Sequence, residues 1–210
     1  RYAGQDEVVV GSAVAGRDRP ELEGLVGYFV NMLVLRTDCS GNPSFQELLG
    51  RVRGITLDAL EHQALPFDQL VAELSPQRDL SRNPLFQVSF ELIQLGHGSL
   101  LPGLQCTPMV APRTTSKFDL SLTVVETAGG LHGEFEYSTD LFDRSTIERM
   151  VGHFRTLLEG IAQAPHKRLS ELPLLSEAER ERLLVEWNDT EVPYWNGQCL
   201  PQLIEEQVRC

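Results

Sequence analysis

Residues 26–36 have the sequence Val-Gly-Tyr-Phe-Val-Asn-Met-Leu-Val-Leu-Arg, and they decide the fold expected of this chain. The run is apolar almost throughout and contains no proline, which is typical of a strand buried on both faces. One amide, that of Asn31, lies in the middle of the run. Because a buried amide costs free energy unless its donors and acceptors find partners, two interpretations stay open. Asn31 is either a core residue satisfied by neighbouring backbone, which the run alone favours, or part of a functional site.

The flanking sequence predicts strands and helices without a strict alternation, and therefore a mixed α+β domain. Alternating apolar side chains predict strands, and two of these runs flank a Gly-Gly pair, as in a β-hairpin. Helical spacing of apolar residues behind capping residues predicts the helices. We expect one sheet with the two longest helices packed against it. The expected elements are strands at residues 7–14, 86–93, 117–126 and 131–138, and helices at residues 20–23, 44–61, 67–74 and 143–163.

Composition excludes several classes of function. The chain has 210 residues and a net charge of −12, and its basic residues form no cluster that would follow a phosphate backbone. No apolar run reaches the length of a membrane span. The four cysteines and five histidines lack the spacing of a metal site or a disulfide framework. We therefore expect no nucleic acid, no membrane and no metal, and reduced thiols as in a cytoplasmic protein.

The character of the chain changes after residue 164. From Leu169 onward nine acidic residues oppose three arginines, a net charge of −6. Residues 176–179, Ser-Glu-Ala-Glu, predict a capped helix. The apolar side of the capped helix consists of Leu183, Leu184 and Trp187.

At the other end of the chain, the first residues contain neither an initiator Met nor a signal-peptide core. We therefore expect the chain to be part of a longer protein.

Three stretches resemble, in the same order, core motifs of the condensation domains of non-ribosomal peptide synthetases. Residues 26–36 resemble the fifth motif, Ile/Val-Gly-x-Phe-Val-Asn-Thr followed by an arginine. Residues 62–68, His-Gln-Ala-Leu-Pro-Phe-Asp, resemble the sixth, His-Gln-Asp-x-Pro-Phe-Glu. Residues 78–86 match the seventh, Arg-Asp-x-Ser-Arg-Asn-Pro-Leu-Phe. The chain departs from these patterns at Met32, Ala64 and Asp68.

The resemblance covers nearly the whole chain and implies one lobe of a chloramphenicol-acetyltransferase-like fold. It divides the chain into the C-terminal lobe of a condensation domain (residues 1–164), a condensation–adenylation linker (165–196) and the start of an adenylation domain (197–210). The histidine motif of the family, His-His-x-x-x-Asp-Gly, does not occur in the sequence. We therefore expect no catalytic residue in this chain and no activity of the chain alone.

The site residues that the resemblance implies are a wall or support of the active site. Arg17, in an Ala-Gly-Arg signature, is expected to hold the Asp of the histidine motif. His62 is a candidate by resemblance only, and a hydrogen-bonded structural histidine is favoured. Two arginines on either side of Asp79 predict a local ion-pair clasp. The candidates are Asn31, Arg17, His62, Arg78, Asp79 and Arg82.

Two classes of function stay open. In the first, the chain is half of an enzyme in which a carrier-bound amine attacks a carrier-bound thioester and forms an amide. In the second, it is a non-catalytic module that binds carrier or adenylation domains. The implied partners are the N-terminal lobe of the condensation domain, an adenylation domain and peptidyl carrier proteins. No cofactor is expected on the chain itself, because the phosphopantetheine arms belong to the carrier proteins.

Overall fold

The computed structural model describes residues 2–74, 82–94, 114–127, 129–190 and 199–209. The strands are β1 (Glu7–Val14), β2 (Asn31–Asp38), β3 (Val88–Gln94), β4 (Leu120–Thr127) and β5 (Gly130–Tyr137). They form one sheet in the order β2-β1-β3-β4-β5. The pairs β1–β3 and β3–β4 are parallel, whereas the outer pairs β1–β2 and β4–β5 are antiparallel.

Six α-helices and two 3₁₀ turns lie within the described residues, and together with the sheet they confirm the mixed α+β class. Helices α2 and α5 both begin with the capping box that their sequences predict, because Ser44 and Ser176 each exchange hydrogen bonds with a glutamate three residues later. The helices are α1 (Pro20–Glu23), α2 (Phe45–Glu61), α3 (Phe67–Leu74), α4 (Arg144–Gln163), α5 (Glu177–Leu184) and α6 (Leu200–Arg209), and the 3₁₀ turns are Leu169–Glu171 and Glu186–Asn188.

The strand expected over residues 26–36 is wrong in its first half and in its burial. Strand β2 begins only at Asn31, and Val26 is fully exposed. The reason is that β1 ends at Val14, which pairs with Asn31, so the residues before Asn31 meet no strand. Strand β2 is also an edge strand, and Leu33 is its only buried residue. An apolar run therefore marks the right region but not the boundary of the strand.

The hairpin predicted around the Gly-Gly pair is confirmed. Strands β4 and β5 pair along their full length, from Leu120 with Tyr137 to Thr127 with Gly130. Gly130 has a φ of 117°, in the region that a residue with a side chain rarely adopts. The Thr127 hydroxyl donates to the Gly130 carbonyl at 2.8 Å and closes the turn.

Helices α2 and α4 lie against one face of the sheet, as predicted, and leave Phe90 of β3 41% exposed on that face. Phe154 of α4 meets Phe135 of β5 edge to face, with ring centroids 6.1 Å apart. An apolar cavity of about 380 Å³ lies between these helices and the sheet. Its lining includes Val52 and Ile55 of α2 and Phe90 of β3. Side chains alternate along a strand. On β3, β4 and β5, the residues that alternate with the cavity-lining ones therefore lie on the opposite face of the sheet.

Residues 165–179, which we name the strap, follow α4 and contact both α2 and α4. The strap carbonyls of Pro165 and Lys167 accept the N–H groups of Gln46 and Phe45, the first two of α2. Leu172 is 2% exposed. Pro173 packs against Gly160 of α4 so closely that a Cβ on this glycine would lie 2.6 Å from the proline ring. The strap is thus held by both long helices.

Candidate functional site

Asn31 joins the start of β2 to the turn that leads into α3. Its amide nitrogen donates to the carbonyls of Gln63 at 2.9 Å and Leu65 at 2.7 Å. Its side-chain oxygen accepts the N–H of Phe67 at 3.0 Å. The neutral amide therefore uses both N–H donors and its acceptor on backbone groups. The structure thus shows that backbone groups satisfy the amide of Asn31, as the first of the two interpretations expects, and a place of Asn31 in a functional site stays a proposal.

Arg17 holds the connection between β1 and β2. Its Nη1 donates to the carbonyl of Leu22 and more weakly, at 3.4 Å, to that of Glu23, while its Nη2 donates to that of Leu25 at 2.9 Å. The guanidinium carbon lies 4.4 Å from the centre of the Phe29 ring, in the geometry of a cation–π contact. Within the described residues the Nε–H makes no hydrogen bond, so it remains a donor for a further acceptor.

Among the described residues, His62 and Arg82 make no hydrogen bond to Asn31 or Arg17. His62 ends α2, where its Nδ1 lies 2.8 Å from the carbonyl oxygen of Asp58, and its side chain is exposed. Arg82 is exposed as well. Arg78, Asp79 and the predicted ion-pair clasp lie outside the described residues.

A cleft of about 320 Å³ lies between the β1–β2 connection and the turn before α3. Gly16 forms part of its wall with a φ of 63°, and a Cβ there would lie 1.9 Å from the carbonyl oxygen of Phe29. Ala64 also faces this cleft, at the position where the resembling motif carries a carboxylate. The residues lining the cleft are Gly16, Asp18, Tyr28, Phe29, Val30, Asn31, Gln63, Ala64 and Pro66.

A larger groove of about 710 Å³ lies on the sheet face opposite α2 and α4. Ser89, Ser121 and Glu136 stand in register across β3, β4 and β5, and the two serine hydroxyls are hydrogen-bonded at 2.8 Å. The next row along the same face is Glu91, Thr123 and Glu134. Both rows therefore consist of hydroxyls and carboxylates. The residues lining it are Ser89, Glu91, Ile93, Thr114, Thr115, Lys117, Phe118, Ser121, Thr123, Val125, Glu134 and Glu136.

The sequence predicted these strands but not the groove. The signal was present, because polar residues on three strands alternate with apolar ones at a spacing of two. What the sequence lacks is the pairing register, which places Ser89, Ser121 and Glu136 in one row. A groove forms between neighbouring strands that pair in register, so the sequence of a single strand does not reveal it.

The carboxyl groups with a lowered pKa lie outside both concave sites. Hydrogen bonds from the Ser44 backbone and side chain lower the pKa of Glu47, and those from the Ser176 side chain and backbone lower the pKa of Glu179. The pKa of Asp38 is lowered by hydrogen bonds from Ser40. In each case the cause is a local turn or a helix cap, so these lowered pKa values indicate structural carboxylates.

The two concave sites can bind and orient a ligand, but their linings lack the groups that usually move protons at neutral pH. Neither lining contains a histidine or a cysteine, within the part of the chain that the structure describes. The same residues contain no group of three His, Cys, Asp or Glu side chains that could hold a metal ion. No helix among them is long and apolar enough to span a bilayer.

Comparisons with known proteins agree on the family. The family model described as "Condensation domain" matches residues 1–184. A linear gramicidin synthase of Brevibacillus parabrevis is 48% identical over 212 residues, which cover 100% of this chain and 4% of that protein. Chondramide synthase cmdD of Chondromyces crocatus is 47% identical, over 90% of this chain and 5% of its own length. The chain thus spans about one twentieth of the curated relatives that it matches.

Solved structures agree on the fold. Holo-AB3403, a four-domain non-ribosomal peptide synthetase bound to AMP and glycine, superposes with a TM-score of 0.84 and 25% identity, over 98% of this chain and 17% of that one. The X-domain from teicoplanin biosynthesis, solved in complex with OxyB, superposes with a TM-score of 0.74 and 27% identity, over 84% and 40% of the two chains. The sheet and its helices have the chloramphenicol-acetyltransferase-like fold expected from the sequence. The chain belongs to the condensation domain family of non-ribosomal peptide synthetases.

Proposed function

We propose that this chain is the C-terminal lobe of a condensation domain that forms amide bonds between carrier-bound aminoacyl or peptidyl thioesters. In that reaction the acceptor amine attacks the thioester carbonyl, a C–N bond forms, the C–S bond breaks, and the amine loses a proton as the thiol leaves. The observation that carries the proposal is the match of the condensation-domain model to residues 1–184. The identity with the linear gramicidin and chondramide synthases supports it.

The role that we assign to this lobe is to bind and orient, and not to move the proton. The sequence contains no His-His-x-x-x-Asp-Gly motif, and neither concave site is lined by a histidine among the described residues. The histidine motif would therefore come from the N-terminal lobe, and the 210 residues alone would be inactive. Positioning two reactants in the right geometry is itself a large contribution to rate.

We assign Asn31 and Arg17 supporting roles in the proposed site. Asn31 fixes the turn that carries Gln63, and both residues line the smaller cleft. The Nε–H of Arg17, which the described residues leave free, is suited to a carboxylate, because charge-assisted hydrogen bonds of guanidinium are short and directional. We assign it to the Asp of the histidine motif. His62 and Arg82, together with Arg78 and Asp79, remain proposed supports of the wall.

The partners follow from the same proposal. Residues 165–196 would be the linker to an adenylation domain that begins at residue 197, and peptidyl carrier proteins would deliver the substrates. Their phosphopantetheine arms are chains of amide groups, and the serine and threonine hydroxyls of the sheet-face groove fit such a chain as hydrogen-bond partners. The groove would be one wall of the tunnel through which the arms approach.

The test is to fill the groove in the complete synthetase. Thr123→Trp places a large side chain in the groove, and Leu131→Trp places the same side chain on an exposed position of the opposite face. With both carrier proteins loaded, amide formation is followed by mass spectrometry of the intact carriers. We expect Thr123→Trp to lose amide formation at unchanged melting temperature, and Leu131→Trp to keep it. A normal rate in Thr123→Trp would contradict the proposed wall.

A non-catalytic binding module is the second candidate function. The likeness to the X-domain, which was solved in complex with OxyB, favours it. In the same experiment, the result for the unmodified synthetase distinguishes the two candidate functions. A synthetase that binds its loaded carrier proteins but forms no amide would support the binding module, whereas amide formation would exclude it.

A further inference from the structure

A buried histidine lies outside the linings of both concave sites and has no part in the function proposed above. His153 of α4 is 6% exposed. Its Nδ1 is hydrogen-bonded to the Tyr2 hydroxyl, and its Nε2 lies 3.1 Å from Oε1 of Glu179 at the start of α5. The ring also stacks on that of Tyr2. One imidazole thus connects the beginning of the chain, the longest helix and the end of the strap.

The chain becomes more exposed immediately after the strap. Up to residue 179 the strap contributes carbonyls to α2, the buried Leu172 and the Pro173 contact with Gly160. From Arg180 to Thr190 each residue is exposed. Among the described residues, the hydrogen bonds and ion pairs of this exposed part stay within residues 176–190. The bond between His153 and Glu179 is therefore the last polar contact that ties this described stretch to the lobe.

The carboxylate of Glu179 serves two structures at once. Its Oε2 accepts the N–H and the hydroxyl of Ser176, which closes the capping box of α5. Its Oε1 meets His153. Because the cap fixes the carboxylate relative to the α5 axis, a bond to the other oxygen fixes the direction in which α5 leaves the lobe.

We infer that His153 is a positioning residue, which sets the orientation of α5 and of the exposed apolar side chains Leu184 and Trp187 through its bond to Glu179. A phenylalanine at this position would fill the space but leave the Tyr2 hydroxyl and Glu179 without their shared partner. The lobe core would keep its packing, and α5 would lose its anchor. The inference concerns the folded chain alone and does not depend on the proposed enzymatic role.

The test is amide hydrogen exchange of the 210-residue chain, read by mass spectrometry. In His153→Phe we expect peptides of α5 to exchange about tenfold faster than in the unmodified chain, with peptides of α4 unchanged. Glu177→Gln leaves both the capping box and the bond between Glu179 and His153 in place, so its α5 should stay within about twofold of the unmodified rate. Tyr2→Phe leaves the bond between Glu179 and His153 in place and should behave like Glu177→Gln.

Two outcomes would overturn the inference. Unchanged α5 exchange in His153→Phe would show that the bond does not position the helix, and equal acceleration of α4 and α5 would show that His153 serves only the core. If His153→Phe does not fold, Glu179→Ala is compared with Ser176→Ala. Both lose the capping box, but only Glu179→Ala loses the bond to His153, so α5 should exchange faster in Glu179→Ala; equal rates would reject the inference.

Discussion

The side-chain oxygen of Asn31 accepts the backbone N–H of Phe67 at 3.0 Å, across 36 positions of the sequence. This bond ties the first residue of β2 to the first residue of α3. The amide nitrogen of Asn31 adds two bonds to the same turn. The smaller cleft exists because this clamp holds the turn against the sheet.

Removing the clamp should destabilise the lobe. In Asn31→Ala two carbonyls and one N–H of the turn lose a partner, and the cost is about 2–3 kcal/mol, since unpaired polar groups are expensive when partly buried. For a chain of this length that corresponds to a melting temperature lower by roughly 4–12 °C. Gln69→Ala, on the exposed side of α3, is the matched control and should change little. A melting temperature within about 1 °C of the unmodified chain would show that the turn does not need the amide.

Two glycine-to-alanine substitutions should have opposite signs. Gly16 has a positive φ and no room for a Cβ beside the Phe29 carbonyl, so Gly16→Ala should cost more than about 1 kcal/mol. Gly50 lies in α2 with no atom within 4 Å of its Cβ position, and Gly50→Ala should add about 0.5–1 kcal/mol. Urea unfolding measures both. Equal effects would show that the cleft wall tolerates a side chain at residue 16.

Acid should weaken the chain through its capped helices. The pKa values of Glu47 and Glu179 are lowered in the folded state, so their stabilisation is complete above the pKa of the unfolded chain. It is lost as the pH falls through the lower folded-state pKa. The urea midpoint should therefore decrease from about pH 6 toward about pH 3, in the range where carboxyl groups titrate.

The control for this pH dependence is the pair Glu47→Gln and Glu179→Gln in one chain. Glutamine keeps the capping geometry but does not titrate, so the decrease should become shallower. An unaltered slope would assign the acid sensitivity to other carboxyl groups, such as that of Asp38.

Cutting the chain before the strap should damage the fold. A chain ending at residue 164 leaves the first two N–H groups of α2 without the strap carbonyls and removes the buried Leu172. We expect broad thermal unfolding or none, whereas a chain ending at residue 190 should melt within a few degrees of the full chain. Differential scanning calorimetry compares the two. Equal unfolding transitions of the two chains would mean that the strap contributes little to stability.

Arg17 should matter for both stability and condensation. Arg17→Ala frees the carbonyls of Leu22 and Leu25 and removes the contact with Phe29, so the melting temperature should fall. In the complete synthetase the same change should abolish amide formation, and Arg17→Lys should restore it only in part, because a lysine lacks the planar fork. A normal rate and stability in Arg17→Ala would place this arginine outside the site.

Local signals in the sequence predicted much of the fold, since hairpin turns and capping boxes are decided by neighbouring residues. The Gly-Gly turn and the caps at Ser44 and Ser176 are where their motifs place them. Residues 26–30 were assigned wrongly because pairing with β1, and not hydrophobicity, decides where β2 begins. The role of Asn31 stayed open for the same reason, since its partners lie more than 30 positions away. The groove likewise depends on the register between paired strands, which the sequence of a single strand does not specify.

The contact between α2 and the strap has a consequence for synthesis on the ribosome. The first two N–H groups of α2 belong to Phe45 and Gln46, and the carbonyls that accept them belong to residues 165 and 167. More than a hundred residues are therefore translated between the helix and its partners. Until they emerge, the start of α2 depends on Ser44 and on water. The start of α2 is therefore completed only after the strap has been translated, and a nascent chain that pauses before the strap keeps an unfinished helix end exposed to chaperones.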